Sequence, residues 1–414
     1  MTWNNVIPVL TLLTSLLAAV VIFLLPEERI RTRTTTNMFS ATVKVGLILL
    51  MLRGVFQSQR YEFRFPVLPG LEFILRADPS ALFFASLSAL LWFLTTIYAI
   101  AYLEGSPQRS RFFGFFSLCV SATAGIALAG NLFTFVIFYE LLTLTTYPLV
   151  VHRHTNASRR AGRTYLVYTL TGGALLLVGA AWLHVLVPSV DFSAGASLAG
   201  LGPEHHAALR LIFVLLVAGL GVKAALVPLH GWLPEAMVAP APVSALLHAV
   251  AVVKAGAFGI VRIVYDVYGI ERAHSLELMR PLALWASATI VYGSIRALFQ
   301  DDLKRRLAYS TVSQISYIAL GVAILGPSST VGGLVHLVHQ GLMKITLFFC
   351  AGNLAETLGI HRISEMRGVA RRMPWTMAAF TAGALGMIGV PPLAGFVSQW
   401  YLGAGSIEAS QPWA

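Results

Sequence analysis

Apolar residues in this chain run in long stretches separated by short polar connectors. Twelve stretches can be drawn, at 6–25, 38–57, 80–103, 111–128, 131–151, 164–188, 207–229, 241–266, 279–299, 303–326, 330–356 and 374–404. An α-helix needs about 20 consecutive apolar residues to cross a bilayer, and most stretches are near that length. They are apolar on most faces, as helices are when packed among helices and lipid. No alternation of apolar and polar positions marks a β-barrel. The pattern predicts an all-α polytopic membrane protein with about 12 transmembrane helices. The first stretch, Val6 to Leu25, has no basic residue ahead of it, and Pro26, Glu27 and Glu28 follow where a small-residue cleavage site would lie. It reads as a span and not as a signal peptide.

Composition sharpens this picture. The 414 residues are 57% hydrophobic and 11% charged, with a mean hydropathy of +0.75. Soluble domains carry about 25% charged residues, so a soluble enzyme, a disordered chain and a nucleic-acid binder are excluded. The net charge of +11 does not bring nucleic acid back, because the basic residues sit in short clusters between apolar runs. Those clusters alternate. Arg29, Arg31 and Arg33 follow the first span, and Arg109 and Arg111 the third. Arg153, Arg159, Arg160 and Arg163 follow the fifth, Lys304, Arg305 and Arg306 the ninth, and Arg362, Arg367, Arg371 and Arg372 the eleventh. The connectors after the fourth, sixth and tenth spans carry almost none. The positive-inside rule then predicts cytoplasmic odd-numbered connectors and an N-terminus outside, in a multi-pass protein of the cell's inner (plasma) membrane. The connector after the seventh span, with no Lys or Arg, favours neither side, and Arg60 and Arg64 after the second fit imperfectly. Cys119 and Cys350 both lie inside apolar runs, which argues against a disulfide framework and a cysteine-ligated metal.

Two segments interrupt their own helices. The seventh contains Pro228, Gly231 and Pro234, and the twelfth Pro391, Pro392 and Gly395. Broken helices at membrane depth are tolerated where protein or a water-filled cavity surrounds them. A pair of such segments, one in each half, points to a transport site.

Ionisable residues inside the spans mark the chemistry. A charge at the bilayer centre costs roughly 2.5–3.5 kcal/mol, yet Glu140, Lys223, His248, Lys254, His336, His339 and Lys344 all lie within spans. Bland roles compete with functional ones. Lys44 and Arg53 in the second span are expected to snorkel to an interface, Glu140 can serve as a packing partner for a lysine, and His248 or one of His336 and His339 can be a hydrogen-bonded core histidine. The functional reading is a proton relay at the membrane midplane. Histidine titrates near neutrality, and a carboxylate can modulate a neighbouring lysine. No metal geometry is evident, because lysine is a poor ligand and the histidines lack a carboxylate partner.

At these residues the chain resembles the antiporter-like subunits shared by respiratory complex I, Mrp cation/proton antiporters and membrane-bound hydrogenases. The resemblance rests on LVPLHGWLPEAMVAPAPVSALLHA at 226–249, on QDDLKRRLAYSTVSQISYIALG at 300–321, and on FYELLTLTTYPLV from Phe138. It covers the chain from about the third span onward, and the first two spans are weakly diagnostic. It implies two inverted five-helix repeats with interrupted helices 7 and 12. The corresponding division is 1–110 for helices 1–3, 111–270 for the first repeat of helices 4–8, and 271–414 for a second repeat, helices 9–12, that is incomplete. It implies that Glu140 and Lys223 form the coupling pair and that His248, Lys254 and Lys344 lie along a polar axis. The spacing of His339 and Lys344, together with the Phe138 motif, resembles the Mrp D-type branch.

Two departures qualify the resemblance. Gln399 stands in the broken twelfth helix where family members usually carry Lys or Glu, which questions the outward end of the proton path. Family members also continue for about two further helices, so the chain is expected to be a fragment or a shortened paralogue. The function expected is a proton-translocating subunit of a multi-subunit antiporter. The alternatives are a proton-pumping subunit of an NADH:quinone oxidoreductase or hydrogenase complex, and a non-conducting scaffold, for which Gln399 speaks. Expected partners are other membrane subunits, the lipid bilayer, and protons with Na⁺ or K⁺ as candidate counter-ions. No flavin, haem, iron–sulfur or nucleotide motif is present, so no cofactor is expected.

Overall fold

The apolar stretches are helices, and their ends follow local chemistry. A computed structural model of the chain describes residues 3–188, 190–192 and 196–411. The helices are α1 (Trp3–Leu24), α2 (Ile30–Phe56), α3 (Pro79–Tyr102), α4 (Arg109–Leu128), α5 (Leu132–Val150), α6 (Asn156–Leu186), α7 (His206–Lys223), α8 (Trp232–Glu235), α9 (Ala241–Ala245), α10 (Val252–Arg262), α11 (Ile270–Ser275), α12 (Met279–Leu298), α13 (Leu303–Ile324), α14 (Pro327–Leu358), α15 (Val369–Arg372), α16 (Pro374–Ile388) and α17 (Ala394–Glu408). Side chains of Asp78, Asn131, Thr155 and Asp302 accept from backbone N–H groups in the first turns of α3, α5, α6 and α13, satisfying donors that a helix start leaves bare. Pro79, Pro327 and Pro374 occupy first helical positions, where a missing N–H costs nothing.

Among the described residues, ten helical segments are long and apolar enough to span a bilayer. The predicted ninth span corresponds to α12, which is not one of the ten. The predicted twelfth is two 15-residue helices, α16 and α17, separated at 389–393. The eighth span, Ala241–Tyr268, is buried throughout its apolar window and is not a uniform α-helix. Leu246–Val250 and Ile263–Tyr268 are π-helical turns, with Ala251 at φ −125°, ψ −72° between the first of them and α10. Such turns cluster at functional sites.

The all-α expectation misses one element. A two-stranded antiparallel hairpin, β1 (Glu62–Leu68) and β2 (Leu71–Arg76), fills the connector after the second span. It explains the imperfect fit of Arg64 to the charge pattern. Arg64 reaches Glu72 at 2.9 Å and Asp191 at 3.0 Å and is also paired with Glu62, while Arg76 reaches Glu62 at 2.6 Å and Asp191 at 3.2 Å. The basic charge is neutralised locally.

The chain divides into two compact units, Met1–Gly219 and Leu220–Ala414. In the first, α1 packs on α2 and α4, α3 on α2 and α4, and α5 on α4 and α6. In the second, α14 is central. It packs on α13, α16 and α17 and on the buried segment from α9 into the first π turn.

The expected snorkelling of Lys44 does not occur. The helix containing it starts at Ile30, eight residues before the apolar stretch begins, which places Lys44 at mid-helix, 1% exposed. Arg53, near the other end, is exposed.

Candidate functional site

In the second unit the polar groups converge on α14. His336, Gln340 and Lys344 lie at i, i+4 and i+8, so they share one helix face, and all three are fully buried. Each meets a different element. His336 Nδ1 and Ser398 Oγ of α17 share a hydrogen bond of 2.8 Å, and the His336 ring lies 5.5 Å from that of Tyr317. Gln340 Nε2 donates to the carbonyl of His248 at 3.4 Å. Lys344 Nζ donates to the Leu307 carbonyl at 3.1 Å and to Ser310 Oγ, both on α13.

Lys254 joins the same face from α10. Its Nζ donates to the backbone carbonyl of Leu337, and the side chain is fully buried. His248 sits in the first π turn, buried, with its ring 4.6 Å from that of Phe348 on α14. Both ring nitrogens of His248, Nε2 of His336 and Oε1 of Gln340 are buried with no hydrogen-bond partner in the protein. Buried polar atoms of this kind are rare and cost about 1–3 kcal/mol each when left unsatisfied.

His339 and Gln399 are placed differently. His339 is half-buried and off the stripe defined by its neighbours. Gln399 Nε2 donates to the Met387 carbonyl at 3.4 Å, and the side chain packs against Gly389 at the break between α16 and α17. Ser398, its neighbour, is the α17 residue that reaches the stripe.

Lys223 is the last residue of α7 and is fully buried. The irregular backbone after it is satisfied within the unit. Trp232 Nε1 donates to the Val222 carbonyl at 2.8 Å, Leu226 N to Gly221 O at 2.9 Å, Val227 N to Thr289 Oγ1 at 3.2 Å, and Trp285 Nε1 to Val227 O at 2.5 Å. This is the protein-enclosed setting that a broken membrane helix requires. Gly256 of α10 admits the break: a β-carbon there would overlap Ala224 N and lie 2.8 Å from the Lys223 carbonyl carbon. The helix that carries Lys254 therefore packs on the backbone at Lys223.

In the first unit, Glu140 occupies the middle of α5, flanked by Tyr139, whose hydroxyl donates to the Gly219 carbonyl at 3.0 Å. Its carboxylate lies on Gly173 of α6. Among the described residues, no group of three or more His, Cys, Asp or Glu side chains is placed to hold a metal ion.

Gln340, Ser310, Ser398 and Gly173 do not stand out in the residue order. Gln340 has a readable signal all the same, since it lies four residues from both His336 and Lys344. The other three are set by tertiary packing.

Comparison with known proteins agrees with the motifs. The family model described as NADH:quinone oxidoreductase/Mrp antiporter, transmembrane, matches residues 129–414. The chain is 37% identical over 376 residues to NADH-quinone oxidoreductase subunit N of Desulforudis audaxviator, covering 89% of this chain and 73% of that protein. It is 28% identical over 343 residues to the D-type subunit of a Na⁺/H⁺ antiporter of Bacillus subtilis, covering 82% and 68%. Several other relatives are longer, and the chain spans between 33% and 60% of them. Among solved structures, a chain of the Mrp complex from Dietzia aligns with a TM-score of 0.89 at 25% identity, over 99% of this chain and 76% of that one.

Proposed function

The chain belongs to the NADH:quinone oxidoreductase/Mrp antiporter transmembrane family, and from that premise we propose that it translocates protons as one member of a multi-subunit membrane complex of Mrp antiporter type, D-like. One observation carries the reading. The α14 face holds His336, Gln340 and Lys344 in a row that also gathers His248 and Lys254, and several of its polar atoms have no fixed partner in the protein. Packing alone would favour leucine or methionine at these depths, since each charge costs roughly 2.5–3.5 kcal/mol. A relay uses them. Protons pass between amines and imidazoles through transient hydration, and groups left without fixed partners are free to exchange. Lys254 and Lys344 hold and release the proton, and His248 and His336 pass it on. Glu140 and Lys223 provide the coupling, as the family resemblance implies. The arginine alternation supports odd-numbered connectors on the cytoplasmic side.

The test is Glu140→Gln in the purified complex, reconstituted in proteoliposomes. Loss of coupled flux with normal assembly is expected, and wild-type flux would overturn the assignment.

A second reading has its own support. The 37% identity to a relative from a quinone oxidoreductase favours a proton-pumping subunit of a redox complex. Co-purifying subunits separate the two. A complex that carries iron–sulfur or flavin absorbance and pumps on quinone reduction supports the second reading, and one that exchanges cations for protons without a redox substrate supports the first.

A further inference from the structure

Within the Met1–Gly219 unit, α5 and α6 leave a cleft of about 280 Å³ between them, with the start of β2 at one end. Its walls are apolar: Leu132, Val136 and Ile137 on α5, Leu177 and Ala181 on α6. Ile137 and Leu177 are 40% and 55% exposed, so the cleft opens at the surface of the unit. The polar lining side chains lie at the β2 end. They are Glu72 of β2, Asn131 at the N-cap of α5 and His184 in the last turn of α6. About one turn beyond Ile137 and Leu177, towards mid-span on the same two helices, Glu140 and Gly173 meet. The cleft thus grades from polar at the helix ends to apolar towards the middle of the spans.

Water does not suit these walls. An ordered water needs about three polar partners, and the Asn131 amide is already committed: Nδ2 donates to the Glu72 carbonyl at 2.8 Å, and Oδ1 accepts from Thr134 N at 2.9 Å. An empty cleft forfeits the contacts its walls can make. Both α5 and α6 are long and apolar enough to span a bilayer, so hydrocarbon chains surround them. The volume falls just short of the roughly 300–1,000 Å³ of pockets that enclose whole small molecules, and part of one chain suits it. A chain that moves from the bilayer into the cleft gains no hydrophobic energy, so its fit and its headgroup contacts decide whether it stays. The rim supplies such contacts. Arg64 and Arg76 are shared among Glu62, Glu72 and Asp191, so carboxylates outnumber arginines in this network and a further cation is favoured. Glu72, its side chain 42% exposed, is the member that lines the cleft. His184 offers a ring N–H to an anion.

We propose that the cleft between α5 and α6 binds one phospholipid of the surrounding bilayer, with an ethanolamine headgroup at the Glu72 rim. One acyl chain lies between Ile137 and Leu177 and ends about one turn short of Glu140. The headgroup ammonium donates to the Glu72 carboxylate, and a phosphate oxygen accepts from His184. An anionic glycerol headgroup lacks the ammonium and brings a net negative charge to a rim already rich in carboxylates, so it binds less well. The site stands independently of the proposed transport.

Photolabelling of the intact complex tests it. The complex is reconstituted in vesicles of phosphatidylethanolamine and phosphatidylglycerol, with a trace of either lipid carrying a diazirine on its acyl chain, and adducts are located by peptide mass spectrometry. Leu49 and Leu50, exposed near the hairpin end of α2, report labelling by bulk lipid. With the ethanolamine probe, adducts at 132–137 and 177–181 are expected to exceed that background on the order of tenfold. Ala181→Phe, which fills the cleft from its exposed side, should remove the excess, and Leu177→Trp serves the same purpose should that variant not assemble. Glu72→Gln should bring the ethanolamine probe down to the level of the glycerol probe. Labelling of the cleft at background level, filled-cleft variants labelled like wild type, or equal labelling by the two probes overturns the proposal. An unlabelled cleft in which Ile137→Cys cross-links to another subunit overturns it in favour of a protein occupant. Because the readout is an adduct and not flux, normal transport by Glu140→Gln removes the relay reading and leaves this result intact.

Discussion

Gly173 of α6 lies directly against the carboxylate of Glu140 on α5. A β-carbon at position 173 would overlap Oε1 and lie 2.7 Å from Oε2. Only a residue without a side chain lets the carboxylate rest there, so Gly173 positions the acidic group in the middle of α5.

Gly173→Ala should therefore push the carboxylate aside and lower proton flux by about tenfold or more, equivalent to about 1.4 kcal/mol. In a Glu140→Asp background the shorter side chain leaves room for the methyl, so the same change should cost little further. Flux measured across this double-mutant cycle checks the claim. Additive losses accompanied by reduced complex yield would mean a packing defect instead.

Lys223 gives a second test. Lys223→Ala should be inactive, and Lys223→Arg nearly so, because arginine retains charge but does not cycle its proton. Turnover of the two purified variants is the measurement. Substantial activity in Lys223→Arg would exclude protonation cycling at the end of α7.

Gln340→Leu removes the hydrogen bond to the His248 carbonyl and the amide that lies between His336 and Lys344 on the α14 face. Flux should fall by about tenfold while assembly persists, since an apolar residue of similar size suits a buried position. Flux indistinguishable from wild type would place the proton path elsewhere.

Gln399→Lys adds a titratable group beside the Met387 carbonyl at the break between α16 and α17. In a conducting subunit this should change the pH dependence of flux. In a scaffold it should lower complex yield, because an uncompensated charge in the membrane costs about 3 kcal/mol. Flux and yield measured together separate the two.

Much of this arrangement is legible in the residue order. Hydrophobic length locates the helices, proline and glycine locate both breaks, and the cost of charge in lipid singles out Glu140, Lys223, Lys254 and Lys344. The hairpin escapes that reading although Phe63, Phe65 and the Pro69–Gly70 turn carry a strand-and-turn signal, because basic Arg60 and Arg64 suggest a loop. Lys44 looks closer to an interface than it is because polar residues at 30–37 hide the first turns of α2, shifting the apparent centre of the helix. The π turn around His248 and the seat of Glu140 on Gly173 depend on contacts between helices, which local pattern does not encode.

The central claim is that the buried row on α14, joined by Lys254, carries protons. The most direct measurement is proton flux into proteoliposomes containing the intact complex with Lys254→Met, a change that keeps bulk and removes the titratable amine. The account predicts loss of coupled flux at unchanged complex yield, and the same loss for Lys254→Arg. Wild-type flux in an assembled Lys254→Met complex would contradict it.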